Sequence, residues 1–444
     1  MAITVIDSMM GTGKTQAMYQ MIRSNPTKSY MIVTPYLKTI QDAKDAGLSL
    51  YEPEYKGGSK MDSLKYLLSH GCNVGCTHSL FLDVDREVWD LIRDSGYTLF
   101  IDEALDVVKP INDLIDDAGY RVKKGTAGWL MRQHLIKVDE FCRVTWCGEA
   151  SDEDYEYRYL EPLIRSGNVL CVGGQLFLWM FPPQIFTAFE DAYILSYLFQ
   201  GSVFDAYLKI HSFDYTLGGV CGEYGSASGY RFTGYKDDAE ERKALQELIS
   251  IYDGVANQIG DRRCDLSVSW YDNATASDIK RVQRAFNTFL KQTRRAGHQG
   301  TLMWTAYKRE REALRIKGAG YTRKLTAEEA QIAERDPEYK DAQTNKLRCF
   351  VSCNARATND YDDRRVLAYL VNRFYQPLIK SMFKDKYDIK LNENRYALSE
   401  LVQWIWRSSI RRTALPDAER KIDIFIPSAR MRNLLEKWLA GECV

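Results

Sequence analysis

Ile3-Thr-Val-Ile-Asp-Ser-Met-Met-Gly-Thr-Gly-Lys-Thr-Gln16 decides how this chain is read. Ile3 to Ile6 is an apolar, β-branched run of the kind that forms a buried strand. Ser8-Met-Met-Gly-Thr-Gly-Lys-Thr15 follows, and after it Ala17, Met18, Met21 and Ile22 recur at helical spacing. Strand, glycine-containing loop, Lys-Thr and helix, in that order, form the P-loop pattern. Gly11 and Gly13, with Thr12 between them, let the backbone turn its N–H groups inward, and the helix N-terminus adds partial positive charge. The expected occupant is ATP, cradled by Gly11, Thr12, Gly13, Lys14 and Thr15. Lys14 would reach the β- and γ-phosphates, and the Thr15 hydroxyl would hold Mg²⁺. Ser8 stands where the pattern usually has its first glycine, a place that tolerates a small residue.

A chain of 444 residues predicts two to three domains. Its charged residues balance to a net charge of +0, which argues against a protein that coats nucleic acid but allows one that grips a few phosphates in a cleft. No run of about 18 apolar residues occurs, so no membrane span is expected. The chain starts directly in the first strand without a signal peptide, so a cytoplasmic location is expected. Several of the cysteines, among them Cys171, Cys349 and Cys353, lie in apolar runs that suit reduced, buried thiols. Cys72/Cys76 and Cys349/Cys353 have no second pair at finger spacing, so no zinc site is expected.

Outward from the loop, strand and helix alternate, which predicts a parallel sheet covered by helices. Residues 29–35 read as a strand ending in Thr34-Pro35, and a helix spans about Leu37 to Ala46. A further helix covers Met61 to Leu68, and a strand at 73–78 ends in Thr77-His78. Tyr97-Thr-Leu-Phe-Ile-Asp-Glu-Ala104 is an apolar strand that runs straight into Asp102-Glu103. A buried strand delivering two carboxylates at its C-terminal edge is the Walker B form. Asp102 would hold the Mg²⁺ shell and Glu103 would orient the attacking water as general base.

The Asp102-Glu103-Ala104 box resembles motif II of superfamily 2 (DEAD/DEAH-like) helicases, and further pieces fall in the same order. Thr34-Pro35 resembles motif Ia, and Thr77-His78 resembles the Thr-His pair of these proteins, so both pairs are implied to contact the nucleic-acid backbone. Ser196, at the end of a strand over 192–197, takes the place of the family's coupling motif. Residues 175–189 are rich in aromatics, read as core packing. The segment from Asp106 to Arg165 is longer than the sheet needs and reads as a helical insertion with solvated faces. It is the candidate docking site for a replication protein partner.

After Tyr215 the composition turns to Gly and Ser, which sets the expected boundary between domains 1–215 and 216–444. The second half predicts a helix at 240–251, a strand at 264–270 and a helix at 277–292 capped by Ser277. It continues with a strand at 301–305, a helix at 308–315, a helix at 363–374, a strand at 422–426 and a helix at 430–439. Asn354-Ala-Arg-Ala-Thr-Asn359 resembles motif V, and Arg356, Thr358 and Asn359 are implied nucleic-acid contacts. Gln403, Arg407 and Arg411 are spaced i, i+4, i+8, which predicts one stripe on a helix. The stripe resembles motif VI, whose Gln and arginines complete the ATP site, with Ile410 standing where the second arginine is usual. Arg430 and Arg432 add candidate phosphate contacts.

The resemblance implies an α/β fold of two RecA-like domains with parallel sheets, the P-loop in the first and an insertion after the Walker B strand. The expected activity is that of a small, phage-encoded, ATP-dependent DNA helicase or translocase acting on single-stranded or forked DNA. Two other readings of the loop are a P-loop ATPase that remodels protein or packages DNA, and a nucleotide-gated binding module.

Overall fold

A computed structural model describes residues 1–55, 58–111, 125–148, 160–222, 229–295, 302–315, 349–354 and 360–443. The chain forms two compact units. The first comprises Met1–Ser8, Thr12–Lys236 and Tyr375–Asn392, and the second Met9–Gly11, Asp237–Phe374 and Glu393–Val444. The composition shift after Tyr215 therefore does not mark the boundary. The run Tyr215–Cys221, with its two glycines, is itself a strand of the first sheet, because backbone pairing there needs no large side chains.

The first unit is built on seven strands: β1 (Ala2–Asp7), β2 (Tyr30–Thr34), β3 (Val74–Thr77), β4 (Thr98–Asp102), β10 (Asp191–Ser196), β11 (Tyr215–Cys221) and β12 (Arg231–Gly234). Between β4 and β10 lie β5 (Val108–Pro110), β6 (Ile136–Val138), β7 (Val144–Trp146), β8 (Val169–Val172) and β9 (Leu176–Met180). The main sheet runs β12-β11-β1-β10-β4-β2-β3, parallel throughout except for β12. Strands β1, β2, β3, β4 and β10 are largely buried on both faces, as a sheet covered on both sides requires. Ile6, Ile32, Phe100 and Leu195 pack under Met18, Tyr19 and Ile22 of helix Lys14–Ser24 and Ile40 of helix Leu37–Asp45. Val5, Met31, Val33, Ile101 and Ile194 point the other way, to Leu64, Leu68, Val88, Ile92 and Phe204 on three further helices.

Among the described residues the insertion after β4, expected to be helical, holds strands as well as the short helices Thr126–Arg132 and Leu160–Arg165. A three-stranded antiparallel sheet, β5-β9-β8, and the β6–β7 hairpin hold a separate apolar cluster around Leu130, Val144, Leu160 and Phe177. These strands have only three to five residues, too few to show a period-2 pattern against their polar flanks. The aromatics of 175–189 are core, with Phe177, Phe181, Phe186 and Phe189 all buried.

The second unit has a four-stranded parallel sheet of β13 (Ile249–Ile251), β14 (Leu302–Thr305), β15 (Val366–Tyr369) and β16 (Ile422–Phe425), in the order β13-β16-β15-β14. Five expectations change here. Residues 363–374 contain the central strand β15, not a helix. The buried run Val366 to Val371 is what a strand covered on both faces needs. Residues 264–270 are not a strand, since Ser267 caps the short helix Val268–Asp272 by accepting from the Trp270 N–H. The long helix Ala276–Arg295 is capped by Thr275 rather than Ser277, in a reciprocal arrangement with Asp278. The second half of the expected helix at 240–251 is β13, and the segment at 308–315 holds only a single tight turn, Lys308–Glu310.

Candidate functional site at the glycine loop

Parallel register brings three strand ends of the first sheet to one edge. Asp7 at the end of β1 pairs with Ser196 of β10, and Leu195 pairs with Asp102 of β4. Ligands of open parallel sheets collect at this carboxyl edge. The Asp7 carboxylate accepts the N–H groups of Leu198 (2.7 Å) and Phe199 (3.2 Å), and the Ser8 N–H donates to the Ser196 carbonyl at 3.3 Å. The root of the glycine loop is thus tied to the end of β10. The sequence reading passed over Asp7. Its one signal was a carboxylate closing an otherwise apolar strand.

Gly11 and Gly13 both adopt left-handed backbone, with φ of 78° and 90°. Gly13 is doubly constrained, because a Cβ there would collide with the ring of Tyr230. Helix Lys14–Ser24 starts at this glycine with no side-chain cap, so its first N–H groups are open to an anion. The Lys14 ammonium donates to the Ser8 carbonyl at 2.5 Å, which folds the side chain back over its own loop.

At the end of β4 the Asp102 carboxyl is pushed up to about 7, first by burial, then by the adjacent Glu103, with Lys14 pulling the other way. Asp102 keeps some exposed surface, so water and a cation can reach it. Glu103 holds φ at 63°, unusual for a residue with a side chain, while its N–H donates to the Leu195 carbonyl at 3.0 Å. Such a conformation costs about 1–3 kcal/mol and tends to mark a site that uses it. His78 Nε2 donates to the Asp102 backbone carbonyl at 2.9 Å, which fixes its tautomer and ties His78 to the end of β4.

This arrangement fits a nucleotide with its cation. The loop supplies inward N–H groups and one ammonium. Thr15 and Asp102 supply a hydroxyl and a carboxylate, the sparse oxygen set of a Mg²⁺ that retains several waters. Among the described residues no cluster of three or more His, Cys, Asp or Glu could hold a metal.

The raised Asp102 has a pH signature. Its pKa lies above the ordinary 3.8, so the metal-free fold gains from protonation below that value and loses the gain as pH rises through about 7. A Mg²⁺ held by Asp102 would need its carboxylate form. Cation affinity should therefore weaken below about pH 7, while Mg²⁺ should raise the melting temperature more at about pH 8 than at about pH 6. Thermal melts with and without Mg²⁺-nucleotide at the two pH values test this. An equal shift at both would remove Asp102 from the cation site.

Register pairs Thr34 with Thr77 at neighbouring strand ends, with Pro35 just beyond. Thr34 is buried and donates its hydroxyl to the Tyr36 carbonyl, and the Thr77 hydroxyl accepts the Leu80 N–H as a helix cap. Both hydroxyls therefore serve the turns that follow them. Arg356, Thr358 and Asn359 lie outside the described residues.

The expected stripe of Gln403, Arg407 and Arg411 is not formed. Helix Glu393–Ile405 ends before Arg407, and the next N–H groups, of Arg407 and Ser408, tighten onto Trp404 and Ile405. Buried Ser408 and Ser409 carry the chain inward, so that Arg411 closes a separate tight turn, Ser409–Arg411. Gln403 bonds Ser399, and buried Arg407 donates to the Gln403 carbonyl. Arg411 is the more exposed of the two arginines. Arg430 and Arg432 are engaged within the second unit, on Asn372 and Arg373 and on the Ile426 carbonyl respectively.

The parallel sheets define a mixed α/β protein with a Rossmann-like unit. The model of the YonV C-terminal Rossmann-like domain matches residues 243–439. The chain is 30% identical over 453 aligned residues to the SPbeta prophage-derived uncharacterized protein YonV of Bacillus subtilis (strain 168), covering 99% of both chains. It belongs to the YonV family. Among solved structures it is similar to one described as XPD_APO, with a TM-score of 0.49 and 12% identity over 96% of this chain and 92% of that one. It is also similar to Xpd4 of S. tokodaii, with a TM-score of 0.44 and 11% identity over 98% and 93%.

Proposed function

We propose that this chain is an ATP-dependent DNA helicase or translocase with a P-loop site at Ser8–Thr15. The observation that carries the reading is the shared edge of β1, β10 and β4, where the glycine loop, Lys14, Thr15, Asp102 and Glu103 meet. Lys14 would swing from the Ser8 carbonyl to the terminal phosphates, and Thr15 and Asp102 would hold Mg²⁺. The cation, when bound, neutralises charge on the transferring phosphoryl group. Glu103 would take the proton of the attacking water, its left-handed backbone aiming the carboxylate away from the strand. A relative named as prophage-derived fits a phage enzyme of DNA replication or recombination.

The strand ends at Thr34-Pro35 and Thr77-His78 are proposed as the nucleic-acid side of the first unit, read through backbone N–H groups rather than the two hydroxyls. His78 would link that side to Asp102. In the second unit Arg411 is the better candidate than Arg407 for stabilising phosphoryl charge, because burying an arginine leaves nothing to reach with. Arg411→Ala should keep ATP and DNA binding but lose most DNA-stimulated hydrolysis, by ~10³-fold if it acts as a full arginine finger. Full stimulation in Arg411→Ala would reduce it to a structural residue. A strand-displacement assay on forked DNA tests the proposed activity itself. Unwinding marks a helicase, DNA-stimulated hydrolysis without it a translocase, and neither response a protein remodeller or gated module.

A further inference from the structure

Within the first unit, far in sequence from the glycine loop, lies a cavity of about 280 Å³. It opens between β8, the end of β9, the end of helix Val203–Ile210 and helix Pro377–Tyr387. Its floor is apolar, made by Leu170, Met180, Phe181 and Ile210. Its polar groups are of a different kind. Gln184 and Arg143 are exposed at the cavity, and neither side chain has a hydrogen-bond partner among the described residues. Arg143 lies over the Phe141 ring at 5.9 Å, and the Tyr387 hydroxyl donates to the Phe141 carbonyl at 3.3 Å, so this wall is ordered. Asn168 donates its amide to Ser166, which sets its orientation. His211 Nε2 is buried and has no partner among the described residues.

We propose that this cavity seats a single nucleotide unit, its base on the apolar floor and its phosphate on Arg143. The size excludes larger cofactors, since pockets for those run from about 300 to 1,000 Å³. A simple anion would not need the floor, and a lipid or apolar peptide chain would not need two amides and an imidazole. Planar bases use both: faces that pack on apolar and thioether groups, and edges that pair with amides. Burial, and then Arg143, hold His211 below its ordinary pKa, so the neutral ring leaves Arg143 as the cation of this wall. The unit can come from a single strand or from a free nucleotide. The strand form rests on the nucleic-acid reading above.

The test uses a short oligo-dT carrying one 2-aminopurine, and separately AMP with the full chain in a Lys14→Ala background, which silences the glycine loop. Wild type should bind the strand with a change in 2-aminopurine fluorescence. Arg143→Ala and Gln184→Ala should each weaken that binding, Arg143→Ala by ~10-fold, within the range for a lost base or phosphate anchor. ATP hydrolysis without nucleic acid should stay unchanged, since neither residue lies at the loop. AMP binding in the Lys14→Ala background, lost on adding Arg143→Ala, would assign the seat to free nucleotide. Strand binding at wild-type affinity in both variants, without AMP binding, overturns the seat while leaving the helicase reading intact. If wild type binds neither probe, the seat and the nucleic-acid reading fall together.

Discussion

Lys14→Ala should lower ATP turnover by about 10³-fold, the loss of one preorganised charge at the transferring phosphoryl group. The prediction follows from the geometry at the end of β1. The loop's two left-handed glycines and the uncapped helix start leave Lys14 as its one ammonium. In the resting chain that ammonium rests on the Ser8 carbonyl, a charged hydrogen bond worth about 1.5–3 kcal/mol to the fold. The variant should therefore melt within a few degrees of wild type while losing activity. Steady-state hydrolysis alongside a thermal melt separates the two effects. Near-normal turnover in a folded Lys14→Ala protein would sink the assignment of the loop.

Glu103→Gln should bind ATP and hydrolyse it at least ~10²-fold more slowly, the low end for losing a general base. The replacement keeps size and backbone, so Asp102, His78 and the Leu195 pairing stay in place. Glu103→Gly offers an independent reading. Glycine adopts φ near 63° without strain, so this variant should melt no lower than wild type and be as inactive as the glutamine. Nucleotide affinity measured beside turnover decides between roles. Lost affinity with surviving turnover would make Glu103 a binding residue instead of the base.

Both residues were legible in the sequence because each sits where a long apolar run meets a change of pattern. The strand before Asp102 and the strand before the glycine loop are buried on both faces, and the helix after Lys14 has a clear apolar stripe. The second unit was harder. Val366 to Val371 is apolar throughout, and a run that short reads as helix or strand equally well. Only its pairing between β14 and β16 decides. The i, i+4, i+8 spacing of Gln403, Arg407 and Arg411 assumed that the helix continues. Buried Ser409 draws the chain away from the helix, its N–H donating to the Arg364 carbonyl and its hydroxyl to the Arg420 carbonyl, neither within reach of a helical period. The return of Tyr375–Asn392 to the first unit has no local signature at all. Asp7 was visible but unremarked, since its work is to hold backbone N–H groups some 190 residues away.

The central claim is that hydrolysis at the glycine loop is driven by nucleic acid. The most direct test is the steady-state ATP hydrolysis rate of the wild-type chain with and without single-stranded DNA, with Mg²⁺ present. A large DNA-dependent rise that vanishes in Lys14→Ala is the predicted result. A rate that does not respond to DNA, or a response that survives without Lys14, would contradict it.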